Sequence, residues 1–191
     1  MNAGVIQLVE CFLAKEDVTS SSLVTRSTEL VIKMVQKKID VHEVKRYVDA
    51  CGPNTKLYIG CDSERIRVGD DWYADYTLAV VIHINGRHGC KIFGSVERER
   101  DFDQRKDRPA MRLMNEVYKV SDLYLKLAEQ IVEHDIEVHL DINPKEQHGS
   151  SCVVGQAVGY IKGVCNVTPM VKPRAFAASY AADRLKEVLA A

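Results

Sequence analysis

KLYIGCDSER, residues 56–65, decides how the chain is read. Leu57, Ile59 and Cys61 alternate with Tyr58, Gly60 and Asp62, the period-two pattern of a pleated strand. The polar run Ser63-Glu64-Arg65 breaks that pattern, so the strand is expected to end there with Asp62 at its carboxyl end. EVHLDINP, residues 137–144, repeats the arrangement. Val138 and Leu140 share one face, Glu137, His139 and Asp141 the other, and Pro144 closes the run. Two aspartates at two strand tips require an explanation.

Composition limits what that explanation can be. At 191 residues the chain is long enough to bury a substantial core, and a net charge of -1 excludes a polybasic nucleic-acid coat. Any contact with nucleic acid is therefore a local patch. The start, MNAGVIQLVECF, carries Glu10 and has no basic leader, so a cytoplasmic location and no membrane partner are expected. Cys11, Cys51, Cys61, Cys90, Cys152 and Cys165 include no CxxC pair and read as reduced thiols, mostly small core residues.

In chain order, residues 1–50 read as a helical N-terminal extension and 51–191 as one α/β domain. Val5, Ile6, Val9, Phe12 and Leu13 have helical spacing, as do Leu30, Val31, Met34 and Val35. Asp40 and Glu43 form a D-x-x-E start for a third, short helix. DWYADYTLAVVIHI, residues 71–84, and CKIFGSVE, 90–97, are strand-rich and flank an Asn85-Gly86 turn. A long helix is expected from about Ala110 to Glu133, with Leu113, Val117, Val120, Tyr124, Leu127 and Ile131 as its apolar stripe. Glu116 lies on the border of that stripe, where an acid needs a partner.

Beyond the second aspartate strand, Ser150 or Ser151 is read as the N-cap of a helix over CVVGQAVGYIKG, residues 152–163. Gly155 and Gly159 are expected to let it approach a neighbouring backbone, and Gly163 to end it. NVTPMVK, 166–172, has strand composition with Pro169 inside, which confines it to a sheet edge. PRAFAASYAADRLKEVL, 173–189, is a helix rich in alanine and interrupted by Asp183. The order predicts a mixed five-stranded sheet: three antiparallel strands, then two parallel ones reached through helices. Crossovers would place the fourth strand beside the first and bring Asp62 next to Asp141.

YIGCDSE with its hairpin, RLMNEVY, HLDINP and VKPRAFAASYAADRL together resemble the ribonuclease H-like superfamily, and within it the YkuK-type (DUF458-like) group of nucleases without an assigned substrate. The resemblance covers residues from about 40 to 190. It implies a ribonuclease H-like fold and an active site of four acids, here Asp62, Glu116, Asp141 and Asp183. It also implies a nuclease that hydrolyses phosphodiester bonds of nucleic acid with two Mg²⁺ or Mn²⁺ ions bound to those acids. Hard oxygen donors suit such cations, and a cation relieves the repulsion between clustered carboxylates. Lys172 and Arg174 before the last helix, with Arg65 and Arg67 after the first strand, are expected to touch phosphates. RNA–DNA hybrid and structured DNA or RNA remain open as substrates. Asp62-Ser63-Glu64 also resembles the D-x-E of 3′–5′ exonucleases, but Tyr180 stands one residue short of the tyrosine spacing those enzymes use. A non-catalytic docking module for nucleic acid or protein on the same sheet is the rival of a different class.

Overall fold

The computed structural model describes residues 38–86, 89–103, 107–183 and 185. The two helices expected before residue 36 lie outside the described residues. Helix α1, Val41–Asp49, begins where the D-x-x-E spacing put it, with the Asp40 carboxylate accepting the N–H groups of His42 at 3.0 Å and Glu43 at 3.4 Å. Its Val44 and Val48 are fully buried in the main core.

Five strands, β1 (Lys56–Val68), β2 (Asp71–His83), β3 (Cys90–Arg100), β4 (Ile136–Leu140) and β5 (Met170–Val171), form one sheet in the order β3-β2-β1-β4-β5. β1, β2 and β3 are antiparallel, while β4 runs parallel to β1 and β5 parallel to β4. This is the mixed sheet expected from the sequence, with the fourth strand against the first. β5 starts directly after Pro169 and occupies the sheet edge, where a residue without an N–H donor does least harm.

One expectation fails usefully. The first strand does not stop at Asp62 but continues to Val68, and a Gly69-Asp70 turn with Gly69 at φ 62° returns the chain into β2. β4 pairs only with Leu57–Cys61, so among the described residues no strand pairs with the second half of β1 on that side. Exposed there, it tolerates Glu64 and Arg67, and the alternation that marks a half-buried strand disappears. Asp62 is therefore mid-strand, yet it is the first residue of β1 beyond the reach of β4.

The two faces of the sheet are covered differently. Leu57, Ile59 and Cys61 of β1, with Tyr76, Leu78 and Val80 of β2, pack against helices α2 (Ala110–Gln130) and α3 (Val154–Cys165). The opposite face carries Gly60, Ala79 and Gly94, which are direct register partners across β1, β2 and β3. Over that row lies a terminal helix whose Ala177–Ala181 segment is π-wound. A Cβ on Gly60 would stand 2.5 Å from the backbone nitrogen of Ala178, and one on Gly94 would collide with Leu185. The helix therefore crosses the strands, from β1 at Ala178 to β3 at Leu185.

The glycines singled out from sequence play no such part, since a Cβ on Gly155 or Gly159 would meet nothing within 4 Å. α3 is also entered differently. A 3-10 turn, Gly149–Val153, precedes it, no side chain caps it, and Ser150 Oγ instead accepts the N–H of Asn143 at 3.0 Å. It runs past Gly163 to Cys165 and ends on Asn166 at φ 56°. Among the described residues no helix is long and apolar enough to cross a membrane.

The contact at Gly60 is with backbone, which cannot swing aside as a side chain can. Gly60→Ala is expected to lower unfolding free energy by about 1–3 kcal/mol, the usual cost of overpacking, in a urea titration. Gly155→Ala, which meets open space in the first turn of α3, should be neutral or stabilising in the same assay.

Candidate active site

Strand alternation sends Asp62 and Ser63 to opposite faces of β1. Asp62 shares the face of Gly60, beneath the terminal helix, and Ser63 shares the face of Cys61, beneath α2. Leu140 is the register partner of Cys61, so Asp141 is the next residue beyond β4 on the side of Asp62. The two strands thus bring both aspartates to the place where the β1–β4 pairing ends.

Glu116 approaches from the other layer. It is 3% exposed on α2, deeper than the border position its spacing predicts, and accepts a short hydrogen bond from Ser63 Oγ. Arg112, one turn earlier, donates through Nη1 to Ser63 O at 2.6 Å and to Ser63 Oγ at 2.9 Å. Asp103 fixes the start of the helix by accepting the N–H groups of Met111 at 3.1 Å and Arg112 at 2.7 Å. Burial raises the Glu116 pKa well above the usual carboxylate range, and the charge of Asp62 raises it further. The Ser63 hydrogen bond and Arg112 oppose this, while Asp141 adds to it. The charges of Asp62 and Asp141 therefore act on Glu116 through the end of the sheet.

Asp141 is held by the terminal-helix layer. Ser179 Oγ, inside the π-wound turn, donates to Oδ1 at 2.6 Å. Lys172 Nζ stands 2.8 Å from Oδ1 and donates to Oδ2 at 3.0 Å, so both carboxylate oxygens face one ammonium. His139, buried between Tyr58 and Phe176, anchors the start of the same helix by accepting the N–H of Ala177 on Nδ1 at 3.0 Å. Burial lowers its pKa, opposed by Glu137, which suits a neutral ring with an unprotonated Nδ1.

Asp183 is exposed on the terminal helix, one turn beyond Ser179. That helix runs from the β4 side towards β3, so Asp183 is displaced from Asp141 in the direction of β1 and β2. The basic residues divide. Lys172 is paired with Asp141, and Arg174 is exposed. Arg65 forms an ion pair with buried Asp101 at 2.8 Å, donates to Asp103 O at 2.8 Å and stacks over Trp72 at 4.4 Å, which makes it a strut between the hairpin and the loop before α2. Arg67 is exposed and donates to Gly69 O at 3.1 Å.

Among the described residues, no group of three or more His, Cys, Asp or Glu side chains is arranged to hold a metal ion. Lys172 occupies the Asp141 carboxylate, and one oxygen of Glu116 is taken by the Ser63 hydroxyl. Sequence reasoning missed Ser63, Arg112 and Ser179. Ser63 was open to inference, because the neighbour of a strand aspartate must face the opposite layer. Arg112 and Ser179 reach partners 49 and 38 residues away, a pairing that no local pattern encodes.

Residues 21–187 match the family described as Ribonuclease H-like. No curated protein and no solved structure matches the chain.

The raised Glu116 pKa gives a signed expectation. A group whose folded pKa lies above its unfolded value, near 4.5, stabilises the fold below that value and loses the contribution as pH rises through the folded pKa. Glu116→Gln keeps an acceptor for Ser63 and cannot ionise. Thermal melts in chelator should coincide with wild type near pH 4, and the variant should become progressively the more stable of the two up to pH 8. A pH-independent difference would mean that the carboxyl carries no such burden.

Proposed function

Given that the chain belongs to the ribonuclease H-like family, we propose that it is a divalent-cation-dependent nuclease that hydrolyses phosphodiester bonds of nucleic acid. The observation that supports this reading is geometric: the β1–β4 register sets Asp62 and Asp141 side by side on one face where the pairing ends, and Ser63, next to Asp62, holds the buried Glu116 carboxyl on the other. A structural core gains nothing from three acids drawn from two strands and a helix to one place.

The donor set fits Mg²⁺ or Mn²⁺. All its ligating atoms are hard carboxylate oxygens, and an ammonium already stands at Asp141 as a substitute cation. Asp62 and Asp141 would hold the metal, Glu116 would complete the site from the α2 layer, and Asp183 would close it from the terminal helix. The chemistry such a cation would supply there is activation of a water and stabilisation of the leaving 3′ oxygen. Ser63 and Arg112 keep one oxygen of Glu116 directed at β1, and Ser179 keeps Asp141 oriented. Lys172, once off Asp141, and Arg174 supply positive charge for the phosphate backbone. Arg65 serves better as a strut than as a phosphate ligand.

The Lys172 ammonium on Asp141, which fills the place a metal would take, favours one rival, a docking module that binds nucleic acid without cutting it. A single set of assays separates the two. With Mn²⁺ and a panel of hybrid, duplex, junction and single-stranded oligonucleotides, wild type should cleave at least one class, and end-labelling should show whether cuts are internal or stepwise. Asp62→Asn and Asp141→Asn should each lose more than about 100-fold in rate while melting within a few degrees of wild type. Binding without cleavage by wild type would favour the docking module, and cleavage by the variants at the wild-type rate would remove the acids from the chemistry.

A further inference from the structure

We propose that Lys172 is a tethered counter-ion in the cation position at Asp141, so that a divalent metal must displace its ammonium to bind. This inference rests on the nuclease reading above and concerns how the same site is loaded.

The geometry is that of a cation in place. Nζ lies 2.8 Å from Oδ1 and 3.0 Å from Oδ2, astride the carboxylate rather than at its edge. A metal binding the same oxygens at about 2.0–2.6 Å would fall within contact distance of that nitrogen, and two cations repel. The metal cannot take the side of the carboxylate that the ammonium occupies until the ammonium leaves it.

The residue is anchored at one end and free at the other. Its backbone N–H donates to Ile142 O at 3.0 Å, which fixes the Cα beside Asp141 as the chain leaves β5. Its side chain keeps 40% of its surface exposed, so the ammonium can swing outward without disturbing the core. Ser179 Oγ donates to Oδ1 at 2.6 Å through a hydrogen that needs no lysine, and it holds the carboxylate in position for either cation. Displacement frees a positive charge at the mouth of the site, beside exposed Arg174, where an incoming phosphodiester needs one. Metal loading and phosphate binding thereby become coupled through one side chain, and such coupling acts equally in both directions.

Calorimetric titration of the full chain with Mn²⁺, without nucleic acid, tests this. Lys172→Met removes the competing charge at similar length and should bind Mn²⁺ at least about fivefold more tightly than wild type, the lower end of usual coupling strengths. Lys172→Gln, also neutral, should behave alike and serves if the methionine variant folds poorly. Lys172→Arg retains the charge and should stay near wild type. Equal or weaker affinity in both neutral variants, with wild type binding Mn²⁺ normally, overturns the inference and leaves the nuclease reading intact. Failure of every form to bind Mn²⁺ removes that reading and the inference with it.

Discussion

The terminal helix can press onto the sheet because the row of residues beneath it has almost no side chains. Gly60, Ala79 and Gly94 run in register across three strands, and at Gly60 the clearance is less than one methyl group. Close backbone packing of this kind fixes a helix in two directions at once, along the strands and across them. The Ala177 N–H on His139 fixes its start. From that seat Ser179 reaches Asp141, and Asp183 projects from the same helix one turn on. A bulkier row would lift the helix and separate Ser179 from its aspartate.

The second constraint is the unequal length of two neighbouring strands. β4 stops at Leu140 while β1 continues to Val68, and the step between them is an opening bordered by both layers. Asp62 and Asp141 border it from the terminal-helix side. Glu116 borders it from the α2 side, with Asp103 setting where α2 starts and Ser63 setting where its carboxylate points. In each layer the acid has a hydroxyl partner that holds it. Ser63 serves Glu116 and Ser179 serves Asp141, each through one hydroxyl.

Much of this architecture is legible in the chain. Period-two alternation located Asp62 and Asp141, and the preference of consecutive elements for adjacency placed their strands side by side. Glu116 was visible as an acid that the helical stripe should have excluded. The full length of β1 was not legible, because its distal half is exposed and exposed strands need no apolar period. Glycine spacing misled in one place and was overlooked in another. Gly155 and Gly159 have the regular interval that suggests close packing and face open space, whereas Gly60 and Gly94 are far apart in sequence and become neighbours of one helix only once the sheet exists. The ionic contact of Lys172 with Asp141, across 31 residues, has the same long-range character.

The division of the acids between two layers also has a temporal side. Every strand of the sheet precedes the terminal helix in the chain, so during synthesis the sheet and α2 leave the ribosome before Ser179 and Asp183 exist. Until that last segment settles on the glycine row, Asp141 lacks the hydroxyl that orients it and Glu116 faces a half-built pocket. In a nascent or truncated chain Asp141 is therefore unoriented, and the arrangement of acids is complete only with the finished fold.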